Sequence, residues 1–257
     1  MKNTTHQLVI DGPGAGARAG RQVLWLDAVV FDMDGLLLDT EMLARQANLL
    51  AGQELGLGLT EEFCALLIGV PLDGNRRLLL EHYGQSTPVD AFFAAAGRHF
   101  KSLVDCGALA VKPGVAELLD QLEQAGLPCA VATSSAKEKA RHHLELAGIS
   151  QRFQAIITRD DVARGKPHPD LFLSAAQALG TPPGRCLALE DSYNGVRAAH
   201  AAGMPVIMVP DLLPATAEMG QKCLAIVHDL HEVTKLLARP SGETEPSGAA
   251  LMTRVAG

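Results

Sequence analysis

An apolar run too short for a helix, Ala28-Val29-Val30-Phe31, drives straight into Asp32-Met33-Asp34-Gly35. Continuous apolar runs of this length are typical of buried strands in parallel sheets, and such sheets place their chemistry just beyond the C-terminal ends of the strands. Asp32 and Asp34 are therefore expected at the mouth of a site. Residues i and i+2 share one face of a strand, so both carboxylates can address the same small volume. Gly35 then lets the backbone turn away without a Cβ clash. A calcium loop is the plain alternative. It needs ligands at alternating positions and a closing glutamate, whereas Leu36, Leu37 and Leu38 fill the middle here.

A chain of 257 residues with 47% hydrophobic residues has room for one large domain, or for a core with a smaller module. Its net charge of −7 provides no basic stripe for a nucleic acid, so an anionic substrate requires local cations or a metal. Five cysteines without a Cys-x-x-Cys pair are expected to be reduced, in a cytoplasmic protein. No 18-residue apolar run occurs, and Met1 to Ile10 lacks the basic start and apolar centre of a signal peptide, so no membrane association is expected.

Residues 1–23 contain Asp11-Gly-Pro-Gly-Ala-Gly-Ala-Arg-Ala-Gly20 and are expected to be a flexible leader; the glycine spacing is not that of a dinucleotide loop. Residues 40–111 carry helical patterns without a convincing strand: Leu43, Ala47, Leu50 and Ala51; Thr60-Glu61-Glu62 as a helix start; Leu78, Leu79 and His82; Phe92, Phe93, Ala96 and Phe100. Four helices inserted after the first strand point to a separate cap. From Lys112 helix and strand alternate. Pro113-Gly114 opens a helix that Gly126 closes; strand Cys129–Ala132 ends at Thr133-Ser134-Ser135, which is expected to cap the helix 136–147. Strand 155–158, Lys166 in its loop, helix 171–179, strand 187–189 with Glu190-Asp191-Ser192, helix 195–202, strand 206–209 and a weak strand near 224–227 follow. Alternation of this kind gives a doubly wound, Rossmann-like parallel sheet with helices on both faces. The expected division is a core of 24–39 and 112–236, an all-α cap of 40–111, and a disordered tail of 237–257.

In a parallel sheet the strand ends share one edge, so Asp32, Asp34, Thr133, Glu190 and Asp191 are expected to converge there, with Lys166 in a loop of the same series. Four carboxylates and one lysine leave a local charge near −3, which would repel a phosphate. A divalent cation is therefore expected, and an oxygen-only ligand set suits Mg²⁺. Thr133 also heads a helix, where a hydroxyl and free N–H groups bind an oxyanion. Ser192 can equally be a helix cap. Asp160, Asp161 and Asp170 look like cap or loop acids, His168 structural, and His228 and His231 a solvated pair.

Phe31-Asp32-Met33-Asp34-Gly35, Thr133-Ser134-Ser135, Gly165-Lys166-Pro167 and Glu190-Asp191-Ser192-Tyr193-Asn194-Gly195 resemble, in order, the four motifs of the haloacid dehalogenase superfamily. The resemblance covers roughly residues 24–236 and lies with the subfamily that has a helical cap between motifs one and two, which includes β-phosphoglucomutase and pseudouridine-5'-phosphatase. It implies a phosphatase acting on a small phosphorylated metabolite, such as a sugar phosphate or nucleoside monophosphate. In that scheme Asp32 is the nucleophile that becomes an aspartyl phosphate, and Asp34 the acid and then the base. Thr133, Ser134 and Lys166 hold the phosphoryl group. Asp32, the carbonyl of Asp34, Asp191 and Glu190 hold Mg²⁺.

The mutase is the close rival, but its cap arginine and cap histidine fall by motif register on Leu72 and Ala44. A phosphoacceptor signalling domain is the remote one; such domains lack an acid two residues after the aspartate and have no such insert. The cap loop 68–75, with Gly69, Leu72 and Asn75, is expected to face the site and select the leaving group. Arg76 and Arg77 lie nearby. A monomer is the expected state.

Overall fold

The computed structural model describes residues 6–11, 21–67, 70 and 72–238. Its strands are β1 (His6–Asp11), β2 (Arg21–Leu26), β3 (Ala28–Phe31), β4 (Cys129–Ala132), β5 (Ala155–Ile157), β6 (Cys186–Glu190), β7 (Val206–Met208) and β8 (Ala225–Ile226). The last six form one parallel sheet in the order β5-β4-β3-β6-β7-β8. The first strand of that sheet thus lies at its centre, with later strands added on either side. The chain order reverses there, which opens a crevice beyond the strand ends.

All four residues of β3 are buried, because helices cover both faces. Val29 and Phe31 belong to one apolar layer and Ala28 and Val30 to the other, as period-two alternation requires. The first layer is completed by α5 (Val115–Ala125), α6 (Lys137–Leu146) and α10 (Leu230–Leu237), through residues such as Leu118, Leu122, Leu144 and Val233. On the other face lie α7 (Asp170–Ala178), α8 (Tyr193–Ala201) and α9 (Ala217–Lys222), supplying Phe172, Val196 and Met219. Between β3 and α5 come α1 (Thr40–Glu54), α2 (Glu61–Leu66), α3 (Leu72–Tyr83) and α4 (Val89–Asp105). These four have their own buried cluster, including Ala51, Phe63, Leu79 and Phe92. The two crossings between them and the sheet run side by side: Asp39 N–H donates to Ala110 and Lys112 N–H to Leu37, each at 2.9 Å.

Two expectations are corrected, and one element comes without an expectation. The leader 1–23 is not featureless, since β1 pairs antiparallel with β2, in register from His6 with Leu26 to Asp11 with Arg21. The glycines between them dominated the composition and hid two short β-prone runs, Gln7–Ile10 and Gln22–Trp25. Thr133-Ser134-Ser135 does not cap α6; the N-cap is Ala136, without a side-chain bond. Finally, α9 lies where the sequence offered no signal beyond Thr216, whose hydroxyl accepts from Met219 N–H. Residues 1–5, 12–20 and the tail from 239 lie outside the described residues.

Candidate active site

Four loops meet at the C-terminal edge of the central strands. Asp32 follows β3, where its N–H donates to Leu189 of β6 at 3.0 Å. Thr133 follows β4, and its N–H donates to Ile157 at 2.9 Å. Glu190 is the last residue of β6 and Asp191 the next. Lys166 arrives from the loop ahead of α7, with its ammonium 5.2 Å above the ring of Phe172.

The lysine sits between two carboxylates. Its Nζ donates to Asp32 Oδ1 and, at 2.5 Å, to Glu190 Oε1. All three side chains are more than nine-tenths buried. The other oxygen of Glu190 accepts from Asp191 N–H and Ser192 N–H, both at 3.2 Å, and from Ser192 Oγ at 3.0 Å. Ser192 also caps α8 by accepting from Gly195 N–H at 3.1 Å, the helix-cap role expected of it. A Cβ on Gly195 would fall 1.8 Å from Glu190 Oε1; only glycine leaves space for that carboxylate. Gly35 is constrained likewise, with a φ of +88° and the Asp191 carboxylate 2.4 Å from where a Cβ would stand.

Ligand oxygens of Asp32, Glu190 and Asp191 lie within 4.8 Å of one another, the grouping found among the described residues that could hold a cation. Asp191 Oδ1 is buried without a hydrogen-bond partner among those residues. Fully ionised, three carboxylates against one ammonium would leave two negative charges in a largely buried pocket. Burial pushes Asp32 up to about 8, against the pull of Lys166. Burial, then the charges of Asp32 and Glu190, raise Asp191 well above the carboxylate range. Burial works to lower Lys166, but the two carboxylates outweigh it and hold the ammonium protonated. Hard oxygen donors, an orphaned carboxylate oxygen and an excess of two charges are what a divalent cation of the Mg²⁺ type would satisfy.

Asp34 occupies the other side of the site. Its Oδ2 accepts from Ser135 Oγ at 2.7 Å and from Thr133 Oγ1 at 3.4 Å, and its Oδ1 lies 3.9 Å from Lys139 Nζ. Thr133 is 1% exposed, whereas Ser134 points to solvent and Ser135 takes the inward place. Ser135 and Lys139 were not anticipated as site residues. Glu41 is also close: burial raises its carboxyl, as do the charges of Asp211 and Asp34.

The cap loop differs from expectation in part. Gly69 lies outside the described residues. Asn75 uses its amide to hold its own loop, donating to Leu67 O at 2.9 Å and Val70 O at 3.2 Å. Leu72 opens α3 and is 54% exposed. Arg76 pairs with Asp90 at 2.5 Å and Arg77 with Glu81 at 3.6 Å, so both cations are engaged within the cap. Asp161 accepts from Thr158 and Lys137, and Asp170 pairs with Arg164, the cap and loop roles expected of them.

Residues 26–203 match the family model described as haloacid dehalogenase-like hydrolase. Protein CbbY (plasmid) of Cupriavidus necator is 33% identical over 217 residues, 79% of this chain and 85% of that relative. The Drosophila melanogaster protein named Probable pseudouridine-5'-phosphatase is 36% identical over 71% of this chain and 80% of its own length. Among solved structures, a HAD family hydrolase from Deinococcus radiodurans with bound phosphate and sodium superposes with a TM-score of 0.72. It is 29% identical, over 84% of this chain and 99% of that one.

Proposed function

The chain belongs to the haloacid dehalogenase-like hydrolases, and on that premise we propose that it is a Mg²⁺-dependent phosphatase that hydrolyses a small phosphomonoester through a phosphorylated Asp32. The observation that carries this reading is the placement of Lys166 between Asp32 and Glu190, with Asp191 beside them, at the point where the strand order reverses. The names of the relatives support the substrate class: one is a pseudouridine-5'-phosphatase by name, and a CbbY structure was solved with xylulose-(1,5)-bisphosphate.

Asp32 is the attacking group. Splitting hydrolysis into two displacements lets a fixed carboxylate replace water as the first nucleophile. One Asp32 oxygen bonds to phosphorus, the P–O bond to the alcohol breaks, and the alcohol oxygen takes a proton from Asp34. Asp34 then removes a proton from the water that attacks the phosphorus of the aspartyl phosphate, which frees phosphate and restores both carboxyl groups. The hydrogen bonds from Ser135 and Thr133 keep Asp34 turned toward this path. Lys166 supplies positive charge beside the phosphoryl oxygens, and Thr133 a hydroxyl. Asp32, Asp191, the carbonyl of Asp34 and, directly or through water, Glu190 would hold Mg²⁺. When bound, the ion would screen the phosphoryl charge against this acidic pocket.

Five free cysteines fit a reducing compartment, so we place the enzyme in the cytoplasm. No helix of the described residues is long and apolar enough to cross a membrane.

The test is Mg²⁺-dependent phosphate release from a panel of sugar phosphates and nucleoside monophosphates, with p-nitrophenyl phosphate as reference. Asp32→Asn should abolish release while keeping the wild-type circular dichroism spectrum. Substantial turnover by the purified folded variant would refute the nucleophile.

A further inference from the structure

A cleft of about 990 Å³ lies between α4 of the cap and α6, along nearly the whole of that helix. Phe100, Lys101, Val104 and Asp105 line it from the cap, and its core wall begins at Ala136, the residue after Ser135. Because Ser135 is bonded to Asp34, the cleft starts on the acid's side of the reaction centre. An in-line displacement from Asp32 puts the departing oxygen on the side of Asp34, which leaves this cleft open to the remainder of the alcohol.

The cations on its wall are not equivalent. Lys101 is paired with Asp105 at 2.5 Å, and Lys137 with Asp161 at 2.9 Å; Arg141, also on this wall, is exposed and has no such partner among the described residues. Lys139 has no hydrogen bond among the described residues. Its ammonium stands 3.9 Å from Asp34 Oδ1, beyond hydrogen-bond reach, and 5.3 Å over the ring of Phe100. One turn further along α6, His143 lines the same cleft; it is 4% exposed, and its Nδ1 has no partner among the described residues. Its ring lies 5.8 Å from that of Phe100. The cleft therefore joins an ammonium held only by a long ion pair and a ring contact, an unsatisfied imidazole nitrogen and an aromatic roof that the cap supplies.

Resting on the phosphatase reading, we propose that Lys139 is a specificity-determining residue, binding a second anionic group, carboxylate or phosphate, that the leaving alcohol carries a few bonds from its ester oxygen. The carboxylates around Asp32 would repel a second anion, so such a substrate needs a cation placed on the alcohol's side. Lys139 provides one. It can leave its distant contact with Asp34 for a direct, charge-assisted bond. Because Phe100 belongs to α4, the subsite is complete only with the cap in place.

The experiment compares matched substrates with Mg²⁺ present. Glycerol 1-phosphate and 3-phosphoglycerate differ by a carboxylate in place of a hydroxymethyl group. Propane-1,3-diol monophosphate and bisphosphate differ by a phosphate, and the two pairs tell one anion from the other. Wild-type kcat/KM should favour the anionic member of at least one pair by about tenfold or more, the worth of one hydrogen bond between charged groups. In Lys139→Met that ratio should fall toward one, and in Lys139→Arg it should persist. A wild-type enzyme that shows no preference in either pair, or a preference that survives in Lys139→Met, overturns the assignment of Lys139 while the phosphatase reading stands. Absence of turnover even with p-nitrophenyl phosphate overturns both.

Discussion

The ammonium of Lys166 lies 2.5 Å from Oε1 of Glu190, a carboxylate whose other oxygen is held by the N–H groups of Asp191 and Ser192. Glu190 thereby ties the lysine that meets Asp32 to the loop that carries Asp191. One fully buried acid fixes two of the groups that the chemistry requires. Glu190→Gln takes one charge-assisted hydrogen bond from the ammonium, which keeps Asp32, and such a bond is worth about 1.5–3 kcal/mol. Urea unfolding should show a loss of about that size, and phosphate release should fall with it. A variant of wild-type stability would show that Lys166 does not depend on this partner.

Gly195→Ala tests the same anchor from behind. The new methyl would stand 1.8 Å from Glu190 Oε1, so either the carboxylate or the start of α8 must move. Overpacking of this kind typically costs 1–3 kcal/mol. A loss of about 2 kcal/mol in denaturant unfolding is expected, together with reduced turnover. Unchanged values for both would mean that the close approach is dispensable.

The acid is tested through its leaving group. Asp34→Asn should slow hydrolysis of an alkyl phosphate by about 10²–10⁴, the usual worth of a positioned acid or base. The first step with p-nitrophenyl phosphate, whose phenolate leaves without a proton, should be far less affected. Ser135→Ala removes the 2.7 Å bond to Asp34 and should follow the same pattern with a smaller loss of about tenfold. Equal losses for both substrates in single-turnover assays would assign Ser135 to phosphate binding instead.

Metal binding and pH should be linked with a definite sign. Asp32 is raised from the ordinary carboxylate range to about 8 by burial, so without metal the folded state holds a proton that the unfolded chain has released. Between about pH 4 and pH 8 this group makes the metal-free protein less stable as pH rises, and below that window it contributes no pH dependence. Mg²⁺ competes with that proton. At about 100 times its dissociation constant a ligand stabilises by about 2.7 kcal/mol, and the rise in Tm on adding Mg²⁺ should be larger at pH 8 than at pH 5.5. Equal shifts at both values would argue that the carboxylates do not meet the ion.

The centre of the sheet was legible because β3 is buried on both faces and so appears as an unbroken apolar run ending in acids. The same logic located Thr133, Glu190 and Asp191 at the ends of β4 and β6. What escaped notice depended on contacts between segments distant in the chain. Nothing in the spacing of Thr133-Ser134-Ser135 reveals that the third residue turns inward while the second faces water. Lys139 looked like any charge on a polar helix; its nearness to Asp34 and Phe100 follows from how the cap lies over α6. Asn75 lies in the cap loop expected to face the site; that its amide nitrogen holds two carbonyls of this loop, leaving Oδ1 without a partner among the described residues, is a matter of loop geometry that spacing does not show. The hairpin β1–β2 was missed because a glycine-rich connection outweighed the short runs that flank it.

The paired crossings, Asp39 to Ala110 and Lys112 to Leu37, give the cap a single narrow ribbon as its attachment. The two bonded crossings enter and leave the sheet side by side, so the register of the sheet beneath does not depend on the helices between them. Everything between the crossings is one continuous insert with its own buried cluster. Selection for a new alcohol could rework α1 to α4 freely while the phosphoryl machinery stays untouched.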